Sequence, residues 1–260
     1  MMISVQFISS NSLIKGYFFP ANVNAPASTV IFLQGFPGIE GDELICEALS
    51  QAGTNVLTFN YRGTFQSEGS FSFPNAVADI GAALRFLQAP HTQETYRIAP
   101  DEIILGGWSF GAAIAPAGAA QNPAFKQMFM ISGRNFGLEA RQIGSDPAYA
   151  QQVAQNLASL RAPEGPVHFQ DDLIPGLVTY QDALDHEKLA PWLHDRHVLL
   201  IGGWEDEITP IEAHTIPFYR ALVKSGAAHV RIEAVQDDHE FARSKVQIVQ
   251  LILDWLREEM

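Results

Sequence analysis

Ser109 stands in Gly107-Trp108-Ser109-Phe110-Gly111, a Gly-x-Ser-x-Gly pattern. A serine hydroxyl is a weak nucleophile. It attacks a carbonyl carbon only when a base takes its proton and a third group orients that base. The pattern arises by chance about one time in ten in a chain of 260 residues, so its setting carries the weight. It follows Glu102-Ile103-Ile104-Leu105-Gly106, a strand-forming run, and opens the small-residue run Gly111-Ala112-Ala113-Ile114-Ala115. A strand that turns abruptly into a helix holds its serine in a strained backbone and projects the hydroxyl above the sheet edge. Glycines two residues either side let such a turn close without Cβ clashes. The chemistry indicated is acyl transfer to serine, with a histidine and an acid supplied from elsewhere in the chain.

In these residues the sequence resembles the α/β-hydrolase fold family, in its serine esterase and serine aminopeptidase branch, whose chain order is serine, acid, histidine. Open α/β sheets hold their sites at the carboxyl ends of strands. In Gly202-Gly203-Trp204-Glu205-Asp206-Glu207-Ile208-Thr209-Pro210, Asp206 occupies the family's acid position, with Glu205 and Glu207 as rivals one residue away. Three histidines follow. His214 falls inside the helix expected from Thr209. His229 precedes the last strand, roughly 20 Å from the site at about 3.3 Å per strand residue. His239, in Gln236-Asp237-Asp238-His239-Glu240-Phe241, takes the family's histidine position, with Asp237 and Asp238 expected to serve solvation.

The resemblance also implies an oxyanion hole of two backbone N–H groups, those of Phe110 and Phe36. Phe36 lies in Gln34-Gly35-Phe36-Pro37-Gly38, similar to the family's His-Gly-x-x-Gly loop. Gln34 replaces the histidine of many members but can still donate and accept hydrogen bonds. Asn60-Tyr61-Arg62-Gly63 and Ser67-Glu68-Gly69 match a further family block, in which Arg62 is expected to tie loops together. Trp108, beside the serine, is assigned to substrate contact.

These residues need a frame. Strand-forming runs occur at 5–9, 14–19, 29–34, 55–61, 102–106, 127–132, 197–201 and 230–235, and most of the later ones are continuously apolar. That is the pattern of strands covered on both faces. Helical stripes lie between them: Leu44, Ile45, Ala48 and Leu49; Val77, Ile80, Leu84 and Leu87, with Asp79 off the stripe; and Phe241, Val246, Val249, Ile252, Leu253 and Leu256. Thr209-Pro210-Ile211-Glu212 predicts a capped helix start. The alternation predicts a doubly wound, mostly parallel α/β sheet of about eight strands, in one domain spanning 1–260. Residues 133–196 interrupt it. They carry no clear strand, a helix at 147–160 with Tyr149, Val153, Leu157 and Leu160 on one face, and a short helix at 180–189. An insertion of that length is expected to be a helical lid.

Composition excludes other classes. Lys and Arg number 16 against 29 Asp and Glu, a net charge of −13, which disfavours nucleic acid and anionic membrane as partners. The uncharged stretch 103–120 holds four glycines and Pro116, and reads as a buried strand and helix rather than a membrane span. Cys46 is the single cysteine, which suits a reducing compartment, and no signal peptide is evident at the start, so a cytoplasmic location is expected. No Cys/His spacing suggests zinc and no dinucleotide fingerprint occurs, so neither metal nor cofactor is expected. The resemblance then implies a serine hydrolase acting on a carboxylic ester. The crowded acids at 205–207 and 237–240 point to a small neutral or cationic substrate. A serine aminopeptidase, with Glu139, Asp171 or Asp172 receiving an amino terminus, is the alternative. A binding protein that has lost catalysis is a further one.

Overall fold

The computed structural model describes residues 2–38, 43–160 and 166–258. Its strands are β1 (Ile3–Ser9), β2 (Ser12–Phe19), β3 (Ala27–Leu33), β4 (Asn55–Phe59), β5 (Ile98–Trp108), β6 (Gln127–Ile131), β7 (His197–Gly203) and β8 (Val230–Val235). The helices are α1 (Glu43–Gln51), α2 (Phe73–Gln88), α3 (Pro90–Tyr96), α4 (Phe110–Gln121), α5 (Phe136–Ser145), α6 (Pro147–Leu160), α7 (Leu173–Thr179), α8 (His186–Leu189), α9 (Thr215–Lys224) and α10 (Lys245–Glu258). The eight strands form one sheet in the order β1-β2-β4-β3-β5-β6-β7-β8, parallel from β4 to β8 and antiparallel at the β1–β2–β4 end.

Two cores follow from the two-residue period of the strands. Ile31, Leu33, Met128, Met130, Val198 and Leu200 face one core, shared with α2, α4 and α9. Val30, Phe32, Phe129, Ile131, Leu199 and Ile201 face the other, filled by α1 and α10. This is why the central strands read as unbroken apolar runs. At the edge, β1 alternates: Val5, Phe7 and Ser9 are buried, while Ile8 is 59% exposed.

Several elements differ from expectation. Residues 211–214 form a turn and α9 begins at Thr215. Thr209 donates both its N–H and its hydroxyl to the Asp206 carboxylate, and the position before α9 is taken by His214. Helix α10 begins at Lys245, after Phe241, which is buried with φ 50°. The helix expected at 180–189 divides into a 3-10 turn, Gln181–Leu184, and α8, because Asp185 caps the latter through the Glu187 N–H. Helix α6 spans the residues expected, although the side chain of its last residue, Leu160, lies outside the described residues.

Asp79 faces inward rather than outward. It is fully buried, and its carboxylate accepts from Arg62 Nη2 at 2.7 Å, the Arg62 N–H at 2.8 Å and Ser9 Oγ. Burial pushes the Asp79 carboxyl up against these favourable bonds. Arg62 thereby ties the loop after β4 to α2 and β1.

Candidate active site

Strand β5 ends at Trp108 and α4 begins at Phe110, leaving Ser109 between them with φ 53° and ψ −114°. The flanking glycines are required by contact. A Cβ on Gly111 would lie 2.1 Å from the Leu33 carbonyl oxygen, and one on Gly107 2.6 Å from the Gly111 carbonyl carbon. The turn therefore closes only because helix, strand and neighbouring strand meet without side chains.

Three of the expected residues come together. His239 Nε2 lies 2.8 Å from Ser109 Oγ, and His239 Nδ1 lies 2.8 Å from Asp206 Oδ2. Asp206 Oδ1 accepts from the N–H groups of Ile208 and Thr209 at 2.9 and 2.7 Å, and Oδ2 accepts from Thr209 Oγ1 at 2.6 Å. Burial pushes the Asp206 carboxyl up, but the bonds from His239 and Thr209 outweigh it and hold the group well below the usual carboxylate range. Asp206 is thus ionised, so Nδ1 of His239 carries the hydrogen and Nε2 is left to accept from Ser109. Such an arrangement can draw the proton off the serine and stabilise the imidazolium that results. Glu205 and Glu207 do not enter it: Glu205 binds Gln236 and Arg243, and Glu207 is exposed.

The other two histidines lie elsewhere. His214 sits in the turn before α9, where Nδ1 accepts from the Asn135 N–H at 3.2 Å. The His229 ring stacks on His197 at 4.1 Å, at the entering ends of β7 and β8. Asp237 has a structural place instead of a solvating one. It is buried and accepts from the Asp238 N–H and from both the N–H and Nε of Arg243. Arg243 therefore offsets part of the acidity crowded around His239. Trp108 is buried, with its indole N–H donating to the His239 carbonyl at 3.3 Å and its ring beside Phe241. It lines a cleft with Gly35, Ser109 and His239, but not the apolar pocket described below.

Phe36 and Phe110 flank the serine. The N–H of Phe110, in the first turn of α4, has no partner within the helix. Gln34 anchors the loop before Phe36: its Nε2 donates to Thr58 Oγ1 and its backbone carbonyl accepts from Tyr61 OH, each at 2.8 Å. Ser109 opens onto a pocket of about 220 Å³. Its wall holds Phe36, Phe71, Phe73, Phe110 and Phe136, with neighbouring ring centroids 4.6–6.0 Å apart. Val153 and Leu157 of α6 and Leu173, Ile174 and Leu177 of α7 complete the apolar lining. Sequence reasoning did not find this pocket. The only local signal was the pair Phe71 and Phe73 in Ser70-Phe71-Ser72-Phe73, ahead of the apolar stripe of α2.

Arg134 and Glu139 also line the pocket. Arg134 binds Glu139 and the Ile208 carbonyl, and Tyr149 OH donates to Glu139 at 3.1 Å. Among the described residues no group of three or more His, Cys, Asp or Glu is arranged to hold a metal ion.

A model of the alpha/beta hydrolase family matches residues 30–247. The chain is an alpha/beta hydrolase. Solved structures agree on the fold at low identity. The alpha/beta hydrolase GrgF from Penicillium sp. sh18 is 16% identical, with TM-score 0.77 over 100% of this chain and 99% of its own. Est1E from Butyrivibrio proteoclasticus, solved with ferulic acid bound, is 17% identical, with TM-score 0.77 over 98% of each chain. The acylaminoacyl peptidase of Pyrococcus horikoshii is 16% identical, with TM-score 0.73 over 99% of this hydrolase but 41% of its own chain. No curated protein matches at a significant level.

Proposed function

We propose that this alpha/beta hydrolase is a serine esterase cleaving a small, neutral carboxylic ester. The observation that carries the reading is the continuous hydrogen-bonded chain Asp206–His239–Ser109 opening onto an apolar pocket. In this mechanism Ser109 Oγ attacks the acyl carbonyl while His239 Nε2 takes its proton. Asp206 holds the imidazole and balances its charge. The N–H groups of Phe36 and Phe110 receive the negative oxygen of the tetrahedral intermediate. His239 then protonates the departing alcohol. Water, deprotonated by the same nitrogen, releases the acid from the acyl-serine. No step calls for a metal or organic cofactor.

Helices α5 to α7, within residues 133–196, act in this reading as a cap over the pocket. The ion pair with Arg134 neutralises Glu139 and weighs against its use as a receptor for a substrate amino terminus, which leaves the aminopeptidase alternative to Asp171 or Asp172. Pairing of Asp237 and Glu205 with Arg243 removes much of the reason to expect a cationic substrate. Among the described residues no helix is long and apolar enough to cross a membrane, and the buried Cys46 suits a reducing, cytoplasmic setting. Hydrolysis of short-chain p-nitrophenyl esters by the wild type and by Ser109→Ala tests the reading: the variant should lose turnover by several orders of magnitude. Equal slow turnover by both would favour a protein that binds without catalysing.

A further inference from the structure

A charged pair in an otherwise apolar pocket needs an explanation, because desolvating charge is costly and an Arg–Glu pair adds little stability over apolar residues of similar size. The pair here is Arg134, 28% exposed at its side chain, and Glu139, 12% exposed, both opening on the pocket that holds Ser109. Tyr149 OH donates to Glu139 Oε1, while Arg134 reaches Glu139 Oε2 and the Ile208 carbonyl. Burial and the adjacent Glu139 carboxylate push the Tyr149 phenol up, so it stays a neutral donor.

Two properties of this cluster define what it can bind. Its charges cancel, so neither a free carboxylate nor an ammonium group finds an unbalanced partner. Its bonding capacity is not exhausted. A carboxylate offers about four acceptor positions and a guanidinium five donors, and the contacts above use two of each. A neutral hydroxyl, which donates and accepts at once, suits both. An ester lacking it would leave these groups facing an apolar surface, a mismatch that discriminates more strongly than a missing methylene does.

We propose that Arg134 and Glu139, with Tyr149 as a positioning residue that holds the Glu139 carboxylate, form a specificity site for a hydroxyl on the pocket-bound part of the substrate, and that this part is an aromatic body fitting against the phenylalanine wall. The site thus selects neutral, hydroxyl-bearing aromatic esters over unsubstituted ones. This rests on the serine esterase reading and adds the substrate class to it.

The test is competition against p-nitrophenyl acetate turnover, using methyl 3-phenylpropanoate and its 3-hydroxyphenyl and 4-hydroxyphenyl counterparts. For the wild type, at least one hydroxylated ester should compete about tenfold more tightly than the unsubstituted one, as one hydrogen bond to a charged group requires. In Tyr149→Phe and in Glu139→Gln that ratio should fall toward one. Tyr149→Phe removes a single oxygen, so it keeps the test valid if Glu139→Gln folds poorly. Equal competition by all three esters in the wild type, or a ratio that Tyr149→Phe leaves intact, overturns the inference while Ser109-dependent turnover keeps the esterase reading. If turnover persists unchanged in Ser109→Ala, the esterase reading fails and the inference fails with it.

Discussion

The indole N–H of Trp108 donates to the backbone carbonyl of His239 across 131 positions of sequence. The residue before the nucleophile thereby fixes the loop that presents the base. Trp108→Phe keeps a ring against Phe241 and deletes the bond. Losing one such hydrogen bond is worth about 1 kcal/mol, so kcat on a p-nitrophenyl ester should fall about fivefold with KM nearly unchanged. Equal effects on kcat and KM would mean that Trp108 touches the substrate instead.

Gly111 is fixed by the approach of α4 to β3, since any Cβ there would meet the Leu33 carbonyl at 2.1 Å. Gly111→Ala must push helix and strand apart, at roughly 3 kcal/mol. Chemical denaturation should show that loss as a lower midpoint with an unchanged slope.

The Arg62–Asp79 pair is buried on both sides, so its value appears when one partner is removed. Arg62→Leu leaves Asp79 without its counter-charge, and about 3–5 kcal/mol of stability should go with it. The double variant Arg62→Leu/Asp79→Leu should recover most of that loss. Thermal unfolding of the three proteins measures the difference.

His186 is fully buried, with Nε2 on the Ala113 carbonyl at 2.9 Å and with the Asp185 carboxylate as its neighbouring charge. Burial lowers its pKa from 6.5 to about 4. The unfolded chain therefore binds a proton below pH 6.5 that the folded chain refuses until about pH 4. The stabilising contribution is complete above pH 6.5, fades as pH falls toward 4, and amounts to roughly 3 kcal/mol for one such group. His186→Gln should flatten the fall of Tm between pH 7 and 4.5. A slope equal to that of the wild type would place the proton uptake elsewhere.

The strands and the elbow were legible because both are local. Apolar runs report burial on two faces, and the glycines around Ser109 report a turn too tight for side chains. Asp206 and His239 were legible through their positions after β7 and β8. What was hidden is tertiary. Asp79 lies off the apolar stripe of α2 yet is buried, because Arg62 arrives from another loop. Thr209 looked like a helix cap, but its N–H and hydroxyl serve the Asp206 carboxylate that holds His239, a role set by the site and not by the helix that follows. The pocket joins phenylalanines from four separate segments with two helices of residues 133–196, and no local period encodes that meeting.

Esterase activity requires Ser109 to be an activated nucleophile. Incubation with a fluorophosphonate followed by peptide mass spectrometry measures this without knowledge of the substrate. Labelling at Ser109 should be stoichiometric, slowed at least a hundredfold in His239→Ala and absent in Ser109→Ala. A wild-type protein that stays unlabelled, or one labelled equally fast without His239, would contradict the esterase reading.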